Sequence, residues 1–195
     1  YQQEILAAFL EDAGGVFRNV MACATATKGA ALPGDFVFGV DWGKQNDFTV
    51  IAVVDRKAKA LVDLDRFTRI DYTLQVGRLK ALAGKYKPGI VIAERNSMGE
   101  PLCEQLHREG LPVRPFNTTN ATKANAIDAL ALAFERGEIR ILPDATLVAE
   151  LQAYEAERLP SGLLRYGAPE GMHDDTVMAL ALAWHGVASK GVFVG

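Results

Sequence analysis

At 195 residues, with 49% hydrophobic and 23% charged residues, the chain has the composition of an ordinary globular protein, and it is long enough to bury roughly 70% of the surface its unfolded form exposes. Collagen-like and disordered classes are excluded, and no staples are needed for a stable core. A formal net charge of −3 supplies no global basic field for nucleic acid, so any DNA contact must be local or carried by metal ions.

Residues 2–13 predict an amphipathic helix, since Ile5, Leu6, Phe9 and Leu10 recur at helical spacing between Glu4, Glu11 and Asp12. Gly14 and Gly15 stop it. Val16 to Gly34 is small and polar in character, with Pro33, and reads as a linker or arm passing into a main domain that begins near Phe36. The first residue is Tyr1, with no basic-then-apolar leader after it, so the chain reads as a fragment of a longer polypeptide without a signal peptide. Cys23 and Cys103 lack CxxC spacing, which fits a reducing compartment and argues against a disulfide framework or zinc ribbon. The longest apolar stretches fall well short of the roughly 20 residues of a membrane span.

Phe36 to Asp41 and Phe48 to Asp55, rich in Val and Phe, flank the turn-like Gly43-Lys44-Gln45-Asn46-Asp47 and predict an antiparallel hairpin. Ala60 to Phe67 adds a third antiparallel strand by alternation, and 72–86 follows as a helix ended by Lys87-Pro88-Gly89. Gly89 to Glu94 is a short apolar run suited to a parallel strand buried on both faces. The remainder alternates: helix 98–109, strand Val113 to Phe116, helix 120–136, strand Ile139 to Leu142, helix 144–157, a small hairpin over 158–167, and a last helix from Asp174 to Val187. The architecture is mixed α/β.

Asp41, Glu94 and the Asp174-Asp175 pair each stand beside a run apolar enough to be core. Charge there is costly unless a cation or other partner offsets it. A meander whose first strand ends in Asp, a later strand ending in Glu and a final helix opening with Asp would gather them at one edge of the sheet. Such a set suits Mg²⁺, which takes one or two carboxylates and completes its octahedron with water and phosphate oxygens. Two ions about 3.5–4 Å apart can activate a water and stabilise the leaving oxygen of a phosphodiester.

Each candidate has a structural alternative. Asp41 before Trp42-Gly43 could serve a turn, Glu94 beside Arg95 could be a surface ion pair, and Asp174 or Asp175 could cap the last helix and complement its dipole. His173 is either a ligand or proton shuttle, or a hydrogen-bonded neighbour of the acidic pair. Asp47 is an auxiliary ligand candidate. Lys123 at a helix start could meet a phosphate, with Lys44, Arg95 and Arg158 as weaker candidates for DNA contact.

The strings GVDWGKQNDFTV, VIAERNSMG and HDDTVMALALA, with Thr122-Lys123 followed by GEIRILP, resemble the nuclease domain of the large terminase subunit of tailed phages, a branch of the ribonuclease H-like superfamily shared with Holliday-junction resolvases. The resemblance runs through most of the chain. It implies a ribonuclease H-like mixed central sheet, three antiparallel strands and then parallel ones, with helices on both faces. It also implies Asp41 bridging two Mg²⁺ or Mn²⁺ ions, Glu94 holding one and Asp175 the other, with Asp174 the nearest substitute. Met178 falls where resolvases carry a second Asp, so a ligand is missing or comes from Asp174 or Asp47.

The function so implied is a metal-dependent endonuclease that cuts double-stranded viral DNA concatemers during packaging, with little sequence specificity. Residues 1–34 would then be the helix and linker leaving an ATPase domain, and 35–195 the nuclease domain. Portal protein and small terminase subunit are the implied partners, no membrane is involved, and the implied place is the host cytoplasm at the procapsid portal. The sequence contains no GxxxxGK[ST] loop, so it predicts no Walker-type ATPase. Competing readings are a docking module for DNA or the portal, a junction resolvase, and an actin-like or sugar-kinase ATPase with Asp41, Gly43 and Thr49 in its first hairpin. The last would need Gly-rich phosphate loops that do not occur here.

Overall fold

The computed structural model describes residues 15–43, 47–95 and 99–189. The helix expected over 2–13 lies outside the described residues. Strands β1 (Phe36–Asp41), β2 (Thr49–Asp55) and β3 (Ala60–Phe67) are followed by α2 (Tyr72–Tyr86), β4 (Ile90–Glu94), α3 (Gly99–Arg108) and β5 (Val113–Phe116). Next come α4 (Asn120–Glu135), α5 (Ala145–Ala153), the strands β6 (Glu155–Arg158) and β7 (Leu164–Gly167), and α6 (Asp175–Ala188). A single-turn helix, α1 (Val20–Cys23), precedes them all.

The main sheet has the order β3-β2-β1-β4-β5. The β1–β2 and β2–β3 pairs are antiparallel, and β1–β4 and β4–β5 are parallel. This is the mixed sheet expected from sequence. The strands themselves were legible because most are short apolar runs bounded by turn residues, whereas their pairing was implied by the resemblance.

Side-chain parity assigns the faces. Phe36 and Phe38 share one face of β1 and meet the Tyr86 ring of α2 edge-on, at centroid distances of 5.0 and 6.4 Å. Val37 and Gly39 point the opposite way, toward α6. A Cβ on Gly39 would lie 2.0 Å from the Ala179 carbonyl oxygen and 2.3 Å from the Ala183 nitrogen. Gly186 meets Val37 in the same way, with a Cβ falling 2.6 Å from its Cγ1. Helix α6 therefore lies backbone-close on β1, antiparallel to it, with every residue from Thr176 to Trp184 buried. A helix apolar all round belongs inside a layered domain, and here α6 also touches β2, β4, α4 and α5.

Three stretches depart from the sequence reading. Ile139 to Leu142 is not a strand of the sheet: Arg140 makes one isolated bridge to Ala60, while Ile139, Ile141 and Leu142 are buried as core plugs. The helix expected over 144–157 ends at Ala153, and Glu155–Arg158 pairs as β6 with β7. Glu-Ala-Glu-Arg has good helix propensity, but the ladder to Leu164–Gly167 overrides it. The hairpin is accordingly longer than 158–167. The stretch 16–34, read as a linker or arm, contains buried anchors: the Phe17 ring meets Phe134 edge-on and Tyr154 at a tilt, at 5.5 and 5.4 Å, while the Ala26 N–H donates to the Ile141 carbonyl and the Ile141 N–H to that of Cys23. Its apolar residues are too sparse to show a period, so packing rather than pattern places them.

Among the described residues, no helix is long and apolar enough to cross a membrane.

Candidate metal centre

The register of two parallel strands sets the first pair of carboxylates. Val40 lies opposite Ala93, so Asp41 and Glu94 follow side by side at the carboxyl ends of adjacent strands, about 4.8 Å apart in the sheet. Both share the parity of Gly39 and Ile92, which places them on the face that α6 covers. Helix α6 runs antiparallel to β1 and opens at Asp175, so its first turn arrives over the same strand ends.

The electrostatics record this convergence. Burial pushes the Asp41 carboxyl well above the usual range, and the Glu94 charge, a hydrogen bond to Glu94, and the Asp175 and Asp174 charges push it further. Asp175 is pushed up to about 6, first by burial and then by Glu150, with Asp174 and Asp47 adding to the rise and His173 opposing it. Like charges in a partly desolvated cleft disfavour one another's ionisation. Asp175 Oδ2 is buried without a hydrogen-bond partner, and His173 Nδ1 stands 3.5 Å from it.

Neighbouring structure holds the ends that carry these groups. After Asp41 the chain turns through buried Trp42 to Gly43, whose N–H donates to Thr49 Oγ1 at 2.9 Å; that hydroxyl donates to Gln75 Oε1. Gly43 has no room for a Cβ, which would lie 2.5 Å from the Phe48 carbonyl carbon. On α4, Thr119 and Thr122 form a capping box, which sets Lys123 in the first turn. Lys123 Nζ then reaches Asp174 Oδ2 at 3.1 Å.

The structure thus brings Asp41, Glu94, Asp174 and Asp175 together, with Asp47 and His173 at the margin. Lys123 joins them as the cation on Asp174. Arg95 leaves Glu94 outward and pairs with Glu100. Arg158 lies at the exposed end of β6, and Lys44 lies outside the described residues. Sequence reading missed Glu150, Thr176 and Arg66. Glu150 is 5% exposed, accepts from the Thr176 N–H at 2.9 Å and from its hydroxyl, and has Arg66 Nη2 3.7 Å from its other oxygen. A glutamate in an Ala-Leu-rich helix carries no sequence signal that it faces inward.

The donor set fits a hard divalent cation. It is all oxygen, concentrated negative charge, with one carboxylate oxygen buried and unsatisfied. Among the described residues, no group of three or more His, Cys, Asp and Glu side chains stands close enough to hold a metal ion without rearrangement. An open set of carboxylates is what Mg²⁺ or Mn²⁺ uses, since water and substrate oxygens fill the remaining positions.

Residues 38–185 match the sequence family described as the terminase RNaseH-like domain. The chain belongs to that family. The large terminase subunit of Thermus virus P23-45 is 34% identical over 150 residues, which is 76% of this chain and 31% of the relative. That of Thermus phage G20c is 33% identical over the same shares. The chain therefore spans about a third of the length of these curated relatives. Among solved structures, the large terminase nuclease from the thermophilic phage G20c superposes with a TM-score of 0.79 at 28% identity, covering 88% of this chain and 98% of that one. A second structure of it, with bound magnesium, matches equally well over 89% and 97%. The superposition shows that this chain shares the fold of that nuclease.

Proposed function

We propose that this terminase RNaseH-like domain is a divalent-metal-dependent endonuclease acting on double-stranded DNA. The observation that carries the reading is the convergence of Asp41, Glu94 and the Asp174-Asp175 pair on one sheet edge, where burial and the neighbouring carboxylate charges suppress the ionisation of Asp41 and Asp175. The similar large terminase nuclease from phage G20c, also solved with bound magnesium, supports it independently.

Asp41, Glu94 and Asp175 would hold the ions, with Asp174 and Asp47 as further oxygen donors. When bound, divalent ions supply an activated water and neutralise charge building on the phosphate oxygens. The chain's own residues prepare the place. Buried Trp42 and the Gly43–Thr49–Gln75 bonds fix the end of β1, and so the direction of Asp41. The Lys123 ammonium offsets Asp174, which lowers the repulsion that ionised Asp175 must bear. Asp41, whose carboxyl burial and neighbouring charges push up, would have to give up its proton to hold a cation. Since recognition would run through phosphates, little base specificity follows.

In the longer terminase the same domain would cut concatemeric viral DNA during packaging, beside an ATPase domain, the portal and the small subunit, in the host cytoplasm. Supercoiled plasmid incubated with this chain in Mg²⁺, Mn²⁺ or EDTA tests the reading. Nicking and linearisation are expected with either ion and none with EDTA. Asp41→Asn and Asp175→Asn should each lose at least about 100-fold, because even residues that only orient ligands are worth roughly 10–100-fold. Metal-independent cutting, or full activity in both variants, would refute it. An intact chain that binds but never cuts DNA would favour the docking module.

A further inference from the structure

Helix α6 lacks the cap that its own sequence offers. Asp174 occupies the N-cap position, yet its side chain makes no capping hydrogen bond; its Oδ2 pairs with Lys123 instead. The N–H groups a capping side chain could satisfy are those of Thr176 and Val177, in the first turn. The Thr176 N–H donates at 2.9 Å to Glu150 Oε2, and the Thr176 hydroxyl donates to the same oxygen. Both partners are buried, Glu150 at 5% and Thr176 at 0% exposure.

Glu150 comes from the middle of α5, far away in sequence. A buried carboxylate is costly unless its oxygens are partnered, and three features offset it here: two donors on Oε2, the positive end of α6, and Arg66 Nη2 at 3.7 Å from Oε1. The Arg66 guanidinium lies 3.3 Å over the Phe48 ring, and Phe48 in turn meets the His173 ring edge-on at 5.4 Å. Contacts from β3, α5 and the β2 approach thus close on residues 173–176.

We propose that Glu150 is a positioning residue of the metal centre: it caps α6 from a neighbouring helix, which frees Asp174 from capping and fixes the first turn so that Asp174 and Asp175 both face the ions. This rests on the reading of Asp41 and Asp175 as metal ligands. The role belongs to the acceptor oxygen rather than to the charge. A glutamine at 150 keeps that acceptor, and an alanine does not.

Mn²⁺ binding to the intact chain without DNA, followed by calorimetry and by the spin resonance of the ion, tests this well below the melting temperature. Glu150→Ala should weaken binding roughly 10- to 100-fold, as for other residues that orient ligands. Thr176→Val, which keeps the N–H and loses the hydroxyl, should move the same way by less, and it remains informative if the alanine variant does not fold. Glu150→Gln should retain most of the affinity. Leu79→Ala opens a cavity in α2, on the opposite face of the sheet, and should lower stability without moving Mn²⁺ affinity. Unchanged Mn²⁺ binding in Glu150→Ala overturns the proposal, as does equal damage from Gln and Ala. If the intact chain binds no Mn²⁺, or binds it equally well as Asp41→Asn, the metal-centre reading falls and takes this one with it.

Discussion

Asp41 and Asp175 bind their protons more tightly in the folded chain than in the unfolded one. Asp175 ionises at about 6 when folded, against 3.8 for an unperturbed aspartate, and Asp41 is shifted the same way. Because the folded state binds more protons across that window, these groups favour the ion-free fold most below the lower value, and their contribution is lost as pH rises through the higher one. A divalent ion that replaces those protons should reverse the trend. The thermal shift given by Mn²⁺ is expected to be small near about pH 5 and larger near about pH 7.5. Equal shifts at both pH values would mean that the ion does not compete for these carboxylates. Lys123 belongs to the same local balance, since its loss would leave Asp174 facing the acidic group alone. Lys123→Met should therefore raise the Mn²⁺ concentration needed for half-maximal plasmid cleavage, with less effect on the rate at saturation, and an unchanged requirement would assign the lysine elsewhere.

Between elements, the decisive contact is α6 on β1. The Gly39 site has no space for even one methyl, because the obstacles are backbone atoms of α6 rather than flexible side-chain ends. Gly39→Ala should force the helix off the strand and cost about 1–3 kcal/mol, the usual penalty of overpacking a tight core. It should also displace Asp175 from Asp41, so cleavage should fall further than stability alone explains. A denaturant melt and a plasmid assay on the same preparation read both effects. Stability equal to the parent would show that the layers are looser than described. The sequence announces the two elements clearly: β1 by its apolar run ending in Asp, α6 by its long Ala and Leu text. It does not announce Gly39 as the contact, since a glycine within a strand is equally compatible with a bulge.

Across the whole molecule, the sheet was legible and the periphery was not. Strands β1 to β5 and helix α2 sit where alternation and helical spacing put them, since each is long or uniform enough to carry its own period. Ile139 to Leu142 reads as a strand because buried connecting segments are as apolar as strands, and a single bridge at Arg140 cannot be told from a ladder in sequence. Residues 155–158 read as helical because propensity is local, whereas pairing with β7 is not. The 16–34 stretch is held by Phe17 against Phe134 and Tyr154, so Phe17→Ala should cost about 3–5 kcal/mol. A melting temperature that stays put would return this stretch to the status of a loose linker.

Reading along the chain is enough to find which carboxylates stand at the ends of apolar elements, because burying charge beside a core run is costly enough to need a purpose. It also finds the order and type of the elements that carry them, because strand and helix periods are written locally. Folding in three dimensions is what makes Asp41 and Glu94 register neighbours, sets Lys123 on Asp174 and brings Glu150 from another helix to the first turn of α6. Those facts depend on pairings between residues distant in the chain, and no local pattern encodes a partner.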